Sequence, residues 1–165
     1  MHEPTEIQIR PFEPTRDGTW AGAILDEAFG GRLQARRGRL IDALAGPALV
    51  AERGGAPVGL VAYRVDDEGC EITVLVSTEE GAGVGTALLA AVRGRVVGTC
   101  TRLWLVTTND NLCALGFYQR RGFVLRALRP GAVDAARARL KPSIPAVGED
   151  GIPIRDELEL ALALD

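Results

Sequence analysis

Glu80-Gly-Ala-Gly-Val-Gly-Thr-Ala-Leu-Leu89 sets three alternating glycines, Gly81, Gly83 and Gly85, between an apolar strand-like run and an amphipathic helix. Glycine lets a backbone turn tightly and approach a ligand closely, and the first amides of a helix lack intrahelical partners and carry partial positive charge. The stretch therefore reads as an anion cradle suited to a diphosphate; the competing reading is a tight glycine turn with no ligand. Two nucleotide motifs fail on detail. A Walker A loop requires Gly-Lys-Ser/Thr, and Val84-Gly85-Thr86 has no lysine. A dinucleotide fingerprint requires G-x-G-x-x-G and usually opens its fold, whereas these glycines follow three strands joined by hairpin-like turns.

Outward from the loop, hydrophobic periodicity predicts the other elements. Toward the N-terminus lie a strand over Ile7 to Phe12, a helix over Gly18 to Phe29 ended by Gly30-Gly31, and a second helix over Leu33 to Leu44 closed by Gly46-Pro47. Strands follow at Ala48 to Glu52, Val58 to Val65 and Glu71 to Val76, with turns at Gly54-Gly-Ala-Pro57 and Asp66-Asp-Glu-Gly69. Beyond the loop, Val84, Leu88, Val92 and Val96 make one apolar stripe of a helix. Leu103 to Val106 reads as a central strand, and a helix capped near Asn109 or Asp110 runs to about Arg121 and stops at Gly122. Phe123 to Leu128 returns as a strand, a short helix spans Val133 to Leu140, and Ile154 to Leu164 alternates as a half-buried last strand.

Bulk properties bound the function. The chain has 165 residues with 47% hydrophobic content, enough for one domain with a real core, here residues 1–165. No apolar stretch reaches a membrane span and the N-terminus lacks the features of a signal peptide, so the expectation is a cytoplasmic protein without a membrane partner. A net charge of -3 argues against nonspecific nucleic-acid binding. Arg32, Arg36, Arg37 and Arg39 cluster locally, and a solvated helix face is favoured over a contact to acidic substrate or cofactor phosphates. Cys70, Cys100 and Cys113 show no CxxC spacing, and His2 is the only histidine, so neither a metal site nor a His-based triad is expected.

A second stretch, Asn111-Leu-Cys-Ala114-Leu-Gly-Phe-Tyr118-Gln-Arg-Arg-Gly122-Phe123, places Asn111, Ala114 and Tyr118 on one helix face. Taken with the glycine loop, it resembles the N-x-x-A-x-x-x-Y-x-x-x-G-F segment of the GNAT acyl-CoA N-acyltransferases, whose cofactor loop has the form Q/R-x-x-G-x-G/A. The order of predicted elements is similar to that fold across nearly the whole chain. The resemblance implies a mixed α/β (α+β) GNAT fold, with a central mixed, mostly antiparallel sheet of about seven strands flanked by helices. Its cosubstrate would be acetyl-CoA, held by main-chain groups of Gly81, Ala82, Gly83, Val84, Gly85 and Thr86 at the diphosphate. Leu75 and Val76 would pair with the pantetheine arm at a bulge in the splayed fourth strand and supply the oxyanion donor. Asn111 and Ala114 would border the same arm, and Tyr118 would stand at the thioester sulfur. One departure is Glu80, where the family has Gln or Arg; its side chain is expected in solvent, with the backbone amides holding the phosphates.

Direct transfer of an acetyl group to a primary amine needs a deprotonated amine, a donor for the carbonyl oxygen and an acid for the departing thiolate. A phenol of pKa about 10 stays protonated at neutral pH, so Tyr118, which the resemblance sets at the sulfur, is the candidate acid. Several members of the family place a glutamate on this strand, so the resemblance makes Glu71, which the alternation puts on one strand face with Thr73 and Leu75, the candidate base. It can equally be a polar residue on a solvent-facing strand edge, with solvent-mediated deprotonation as the competitor. Asn111 can equally cap its helix and Tyr118 can equally be a core aromatic. The resemblance does not choose between a small-molecule amine and a protein amino group as acceptor, and a CoA-binding sensor without turnover is the alternative function. Glu149, Asp150 and Asp156 offer acidic groups to a cationic amine, though a solvated acidic loop is the simpler reading. The last strand can pair or swap across a homodimer interface.

Overall fold

The computed structural model describes residues 5–165, so His2 lies outside the described residues. The chain runs β1 (Ile7–Pro11), α1 (Pro14–Phe29), β2 (Leu33–Arg36), β3 (Arg39–Asp42), β4 (Ala48–Arg53), β5 (Ala56–Asp66) and β6 (Gly69–Ser77). It continues with α2 (Val84–Val96), β7 (Arg102–Thr108), α3 (Leu112–Arg120), β8 (Val124–Arg129), α4 (Ala132–Arg139) and β9 (Glu157–Ala163). Seven strands form one sheet in the order β1-β4-β5-β6-β7-β9-β8, antiparallel except between β6 and β7. This is the mixed, mostly antiparallel sheet expected from the resemblance.

Each face of the sheet buries its own helix. Val84, Leu88, Val92 and Val96 of α2 all point inward, joining Leu103, Leu105, Phe123 and Leu160 in one core. Ala21 and Leu25 of α1 pack against Val50, Leu60, Ala62 and Val74 on the opposite face. The approach of α2 is close at Gly59 of β5, where a Cβ would clash with Val84 and stand 2.9 Å from Leu88 Cδ1. Glycine there lets the glycine-loop helix lie flat on the sheet.

One predicted helix is wrong. Residues 33–42 form the β2–β3 hairpin, in register Leu33↔Asp42 to Arg36↔Arg39. Its two-residue turn, Arg37-Gly38, has φ of 50° and 74°, the pair of positive values that brings twisted strands back on themselves. Leu33 and Leu40, taken as part of an apolar helix stripe, are exposed. The arginine cluster changes with it: Arg32 pairs with Asp42, Arg37 with Glu68, and Arg36 is buried. These arginines are anchors of a hairpin and not a solvated helix face.

The last strand also differs from its reading. β9 lies between β7 and β8, so it offers no free edge, and both its faces are covered. Arg129 of β8 meets Glu157 and Glu159 on the face opposite the core, at 3.0 and 2.7 Å. β8 is the edge strand on that side of the sheet. Among the described residues no helix is long and apolar enough to cross a membrane.

Candidate active site

β6 and β7 share only two parallel pairs, Cys70↔Leu103 and Glu71↔Trp104, and then diverge. Past that point the edge of β6 facing β7 has no strand partner, and its main-chain groups open toward a gap. Before the gap, β6 carries a bulge: Ala62 pairs with Val74 and Tyr63 with Ile72, leaving Thr73 as the extra residue. The bulge thus falls at Thr73 and not at Leu75 or Val76, which remain paired with Val61 and Leu60. It also reverses the side-chain alternation. Leu75 packs with Ile72 in the α2 core, while Thr73 donates to the carbonyl of Ala43 at 2.9 Å on the other side. The expectation of Glu71, Thr73 and Leu75 on one face therefore fails for Leu75.

The glycine loop is built as the sequence suggested. Gly81 and Gly83 have φ of 71° and 80°, the left-handed region that side chains rarely adopt. Gly83 is the N-cap of α2, whose first backbone hydrogen bond runs from Ala87 N to Gly83 O, so the amides before Ala87 have no intrahelical acceptor. A Cβ on Gly81 or Gly83 would meet nothing within 4 Å, so these glycines serve backbone conformation and an open approach. Val84 anchors the loop in the core, whereas Ala82 and Thr86 are exposed. Glu80 is exposed, with its side chain in solvent.

The motif reading overlooked Arg121. Its guanidinium donates to Thr86 Oγ1 at 3.1 and 2.7 Å and to the Phe117 carbonyl at 2.9 Å, and lies 3.6 Å over the Phe117 ring. A fixed cation from the end of α3 thus stands beside the first turn of α2, where Glu80 supplies none. Its signal was present in Gln119-Arg-Arg-Gly122, but its direction depends on α3 packing against α2. The Phe117 ring is the contact, 3.2 Å from a Cβ placed on Gly85. The loop, its unpartnered amides and this cation fit a diphosphate.

α3 joins the loop to the gap. At its N-terminus Asn111 is the cap, its Oδ1 accepting from Ala114 N at 3.2 Å, and the residue also lines a cleft of about 200 Å³ beside the gap. That cleft is walled by Gln34, Arg36, Thr73, Asn111, Lys141 and Glu157 among others, residues drawn from β2, β6, the end of β7, the crossing after α4 and β9. Ala114 is half-buried against the core. Tyr118 sits deeper, 7% exposed, its ring edge-on to Phe117 and Phe123 at 5.1 and 5.2 Å. Burial pushes its phenol up from the ordinary value, so it remains a proton donor. It does not line the cleft that Asn111 lines.

Glu71 is placed differently from a cleft base. It is 1% exposed, with Arg36 Nε 3.0 Å from Oε1 and Arg64 Nη2 2.8 Å from Oε2. Both contacts are ion pairs out of line for directional hydrogen bonds. Burial pushes the Glu71 carboxyl up and the Arg36 guanidinium down, and their mutual attraction opposes both shifts. The carboxylate borders a second cavity, shared with Arg37 and Arg64, and does not line the cleft. Glu71→Gln should therefore act on the fold: losing the charge that balances buried Arg36 costs about 3 kcal/mol. A lowered urea midpoint with an unchanged acid limb of the rate profile is expected, while an intact midpoint with lost turnover would restore Glu71 as the base.

The acidic residues of the crossing serve different ends. Asp156 accepts from Gly131 N and pairs with Arg155, whereas Glu149 and Asp150 are exposed.

Comparison with known proteins agrees with this architecture. The model of the acetyltransferase (GNAT) family matches residues 12–123, more than half of the chain. YdhI, an uncharacterized protein of Bacillus subtilis, is 46% identical over 125 residues, covering 75% of this chain and 77% of that protein. Among solved structures, an IAA acetyltransferase from Bacillus cereus superposes with a TM-score of 0.71 at 20% identity, covering 96% of this chain and all (100%) of that one. A Bacillus subtilis acetyltransferase in complex with CoA gives a TM-score of 0.69 at 22% identity, covering 97% and 100%.

Proposed function

Because the chain belongs to the acetyltransferase (GNAT) family, we propose that it moves an acetyl group from acetyl-CoA to a primary amine by direct transfer. The observation that carries the reading is the α2 N-terminus: left-handed Gly81 and Gly83, free first-turn amides and the Arg121 cation beside Thr86. Solved structures similar in fold were determined with CoA or acetyl-CoA, which supports the same cosubstrate here.

Acetyl-CoA supplies a thioester carbonyl open to attack. The amides of Gly81 to Thr86 hold the diphosphate by their dipoles, with Arg121 adding charge. The unpartnered edge of β6 around Leu75 and Val76 pairs with an extended arm as an added strand would, and an amide there faces the carbonyl oxygen. Tyr118 keeps its proton until thiolate charge develops, then donates it. The amine nitrogen bonds to the acetyl carbon as the carbon–sulfur bond breaks with its electron pair to sulfur. Of the two protons the ammonium loses, one leaves to solvent and one returns to the Tyr118 oxygen that has protonated the thiolate. Water in the cleft removes the first, since Glu71 faces elsewhere.

Thiol release from acetyl-CoA across an amine panel tests the proposal, with acceptor-stimulated release as the expected result. Tight CoA binding with no amine stimulating release would sink the transferase reading and leave a CoA sensor in its place.

A further inference from the structure

We propose, resting on the transferase reading above, that the acceptor cleft takes a small amino acid, an amine that also carries a carboxylate, with Lys141 and Gln34 receiving the carboxylate.

The polar inventory of the cleft carries this. Lys141 Nζ donates to the carbonyls of Phe29 and Leu33 at 2.9 and 2.7 Å, and takes part in none of the ion pairs among the described residues. A partly buried ammonium held on two neutral carbonyls has no counter-charge, and a carboxylate is its natural complement. Burial pulls its pKa down, in keeping with a missing counter-charge. Gln34, from the neighbouring hairpin strand, has its Nε2 shut from solvent with no acceptor. A buried donor without a partner costs free energy that an incoming oxygen recovers. Asn111 adds to the same wall, its Oδ1 already engaged in the cap of α3.

The acids point the same way. Glu157 lines the cleft, but its carboxylate already accepts from Arg37 N at 3.2 and 3.0 Å and from Arg129 at 3.0 Å. Arg36, the other cation of the wall, is balanced by Glu71 behind it. Hence the wall has a surplus of donors and no uncommitted carboxylate, the reverse of what a polyamine or aminoglycoside needs. The size agrees: about 200 Å³ lies below the roughly 300–1,000 Å³ of pockets for drug-sized ligands.

The test uses the full chain and matched acceptors that differ in the carboxylate: leucine against isoamylamine, phenylalanine against phenethylamine, with the other standard amino acids and spermidine alongside. The best amino acid should exceed its decarboxylated partner at least about tenfold in kcat/KM. Gln34→Leu and Lys141→Met should bring that ratio toward one, mainly through KM, and Lys141→Arg should restore much of it. Gln34→Leu removes no hydrogen bond within the protein, so it remains informative if Lys141→Met loosens the crossing. Equal or better turnover of the decarboxylated amines or spermidine overturns the proposal, as does a ratio unmoved by Gln34→Leu and Lys141→Met. Calorimetry on CoA-saturated protein separates this inference from the transferase reading. Amino-acid binding that Lys141→Met abolishes, with no turnover of any amine, sinks the transferase and keeps the site. Failure of every amino acid both to bind and to react sinks the site, even if other amines are acetylated.

Discussion

Tyr118→Phe is expected to lower kcat about 100-fold, within the range removed with a general acid, while CoA affinity stays within about twofold. The hydroxyl matters only as negative charge develops on sulfur, so its loss acts on the transition state and spares ground-state binding. The ring itself should stay put, because Phe117 and Phe123 hold it edge-on from two sides and phenylalanine fills the same space. The pH dependence has a definite sign. The acid works protonated, and burial moves its pKa upward, so the wild-type rate should hold through pH about 10, where an ordinary phenol ionises. Stopped-flow thiol release and CoA calorimetry on both proteins check this. An unchanged kcat removes Tyr118 as the acid, and a rate falling with a midpoint well below 10 that is absent from the variant contradicts the burial argument.

Gly83→Val is expected to weaken CoA binding about 100-fold or more without unfolding the protein. The backbone there has φ of 80°, a region in which a β-branched residue is strained by about 1–2 kcal/mol. The peptide would turn to relieve it and swing the first α2 amides off the diphosphate. A Cβ at this position meets nothing within 4 Å, so no core contact is disturbed and thermal unfolding should shift only modestly. Retained affinity on calorimetric titration would contradict the loop assignment.

How legible each part was follows from how local its cause is. The loop, α2 and α3 were readable because positive-φ glycines, a four-residue apolar stripe and a terminating Gly122 are decided within a few residues. The hairpin at 33–42 was misread for a related reason. Its turn is Arg37-Gly38, without the Asn or Asp that usually announces such a turn, and Leu33, Leu40, Ile41 and Leu44 fall at helical spacing by coincidence. The bulge at Thr73 has no sequence mark and shows only in the register of β5 against β6. Glu71 looked like a base because the family resemblance implies a glutamate on this strand, and strand parity says nothing about what waits beside it. Arg36 arrives from a separate hairpin. Lys141 and Gln34 were invisible as a pair, because they meet only where three distant segments close on one cleft.

The two residue pairs joining β6 to β7 have a consequence for assembly. On one side of that seam stand β1, β4, β5 and β6, all from the first half of the chain; on the other stand β7, β9 and β8, all from the second. The sheet is therefore two blocks, each built from one half of the chain, docked along a narrow join and connected through α2. A molecule lying in the join touches both blocks at once, so its arrival is a mortar course between two walls raised separately.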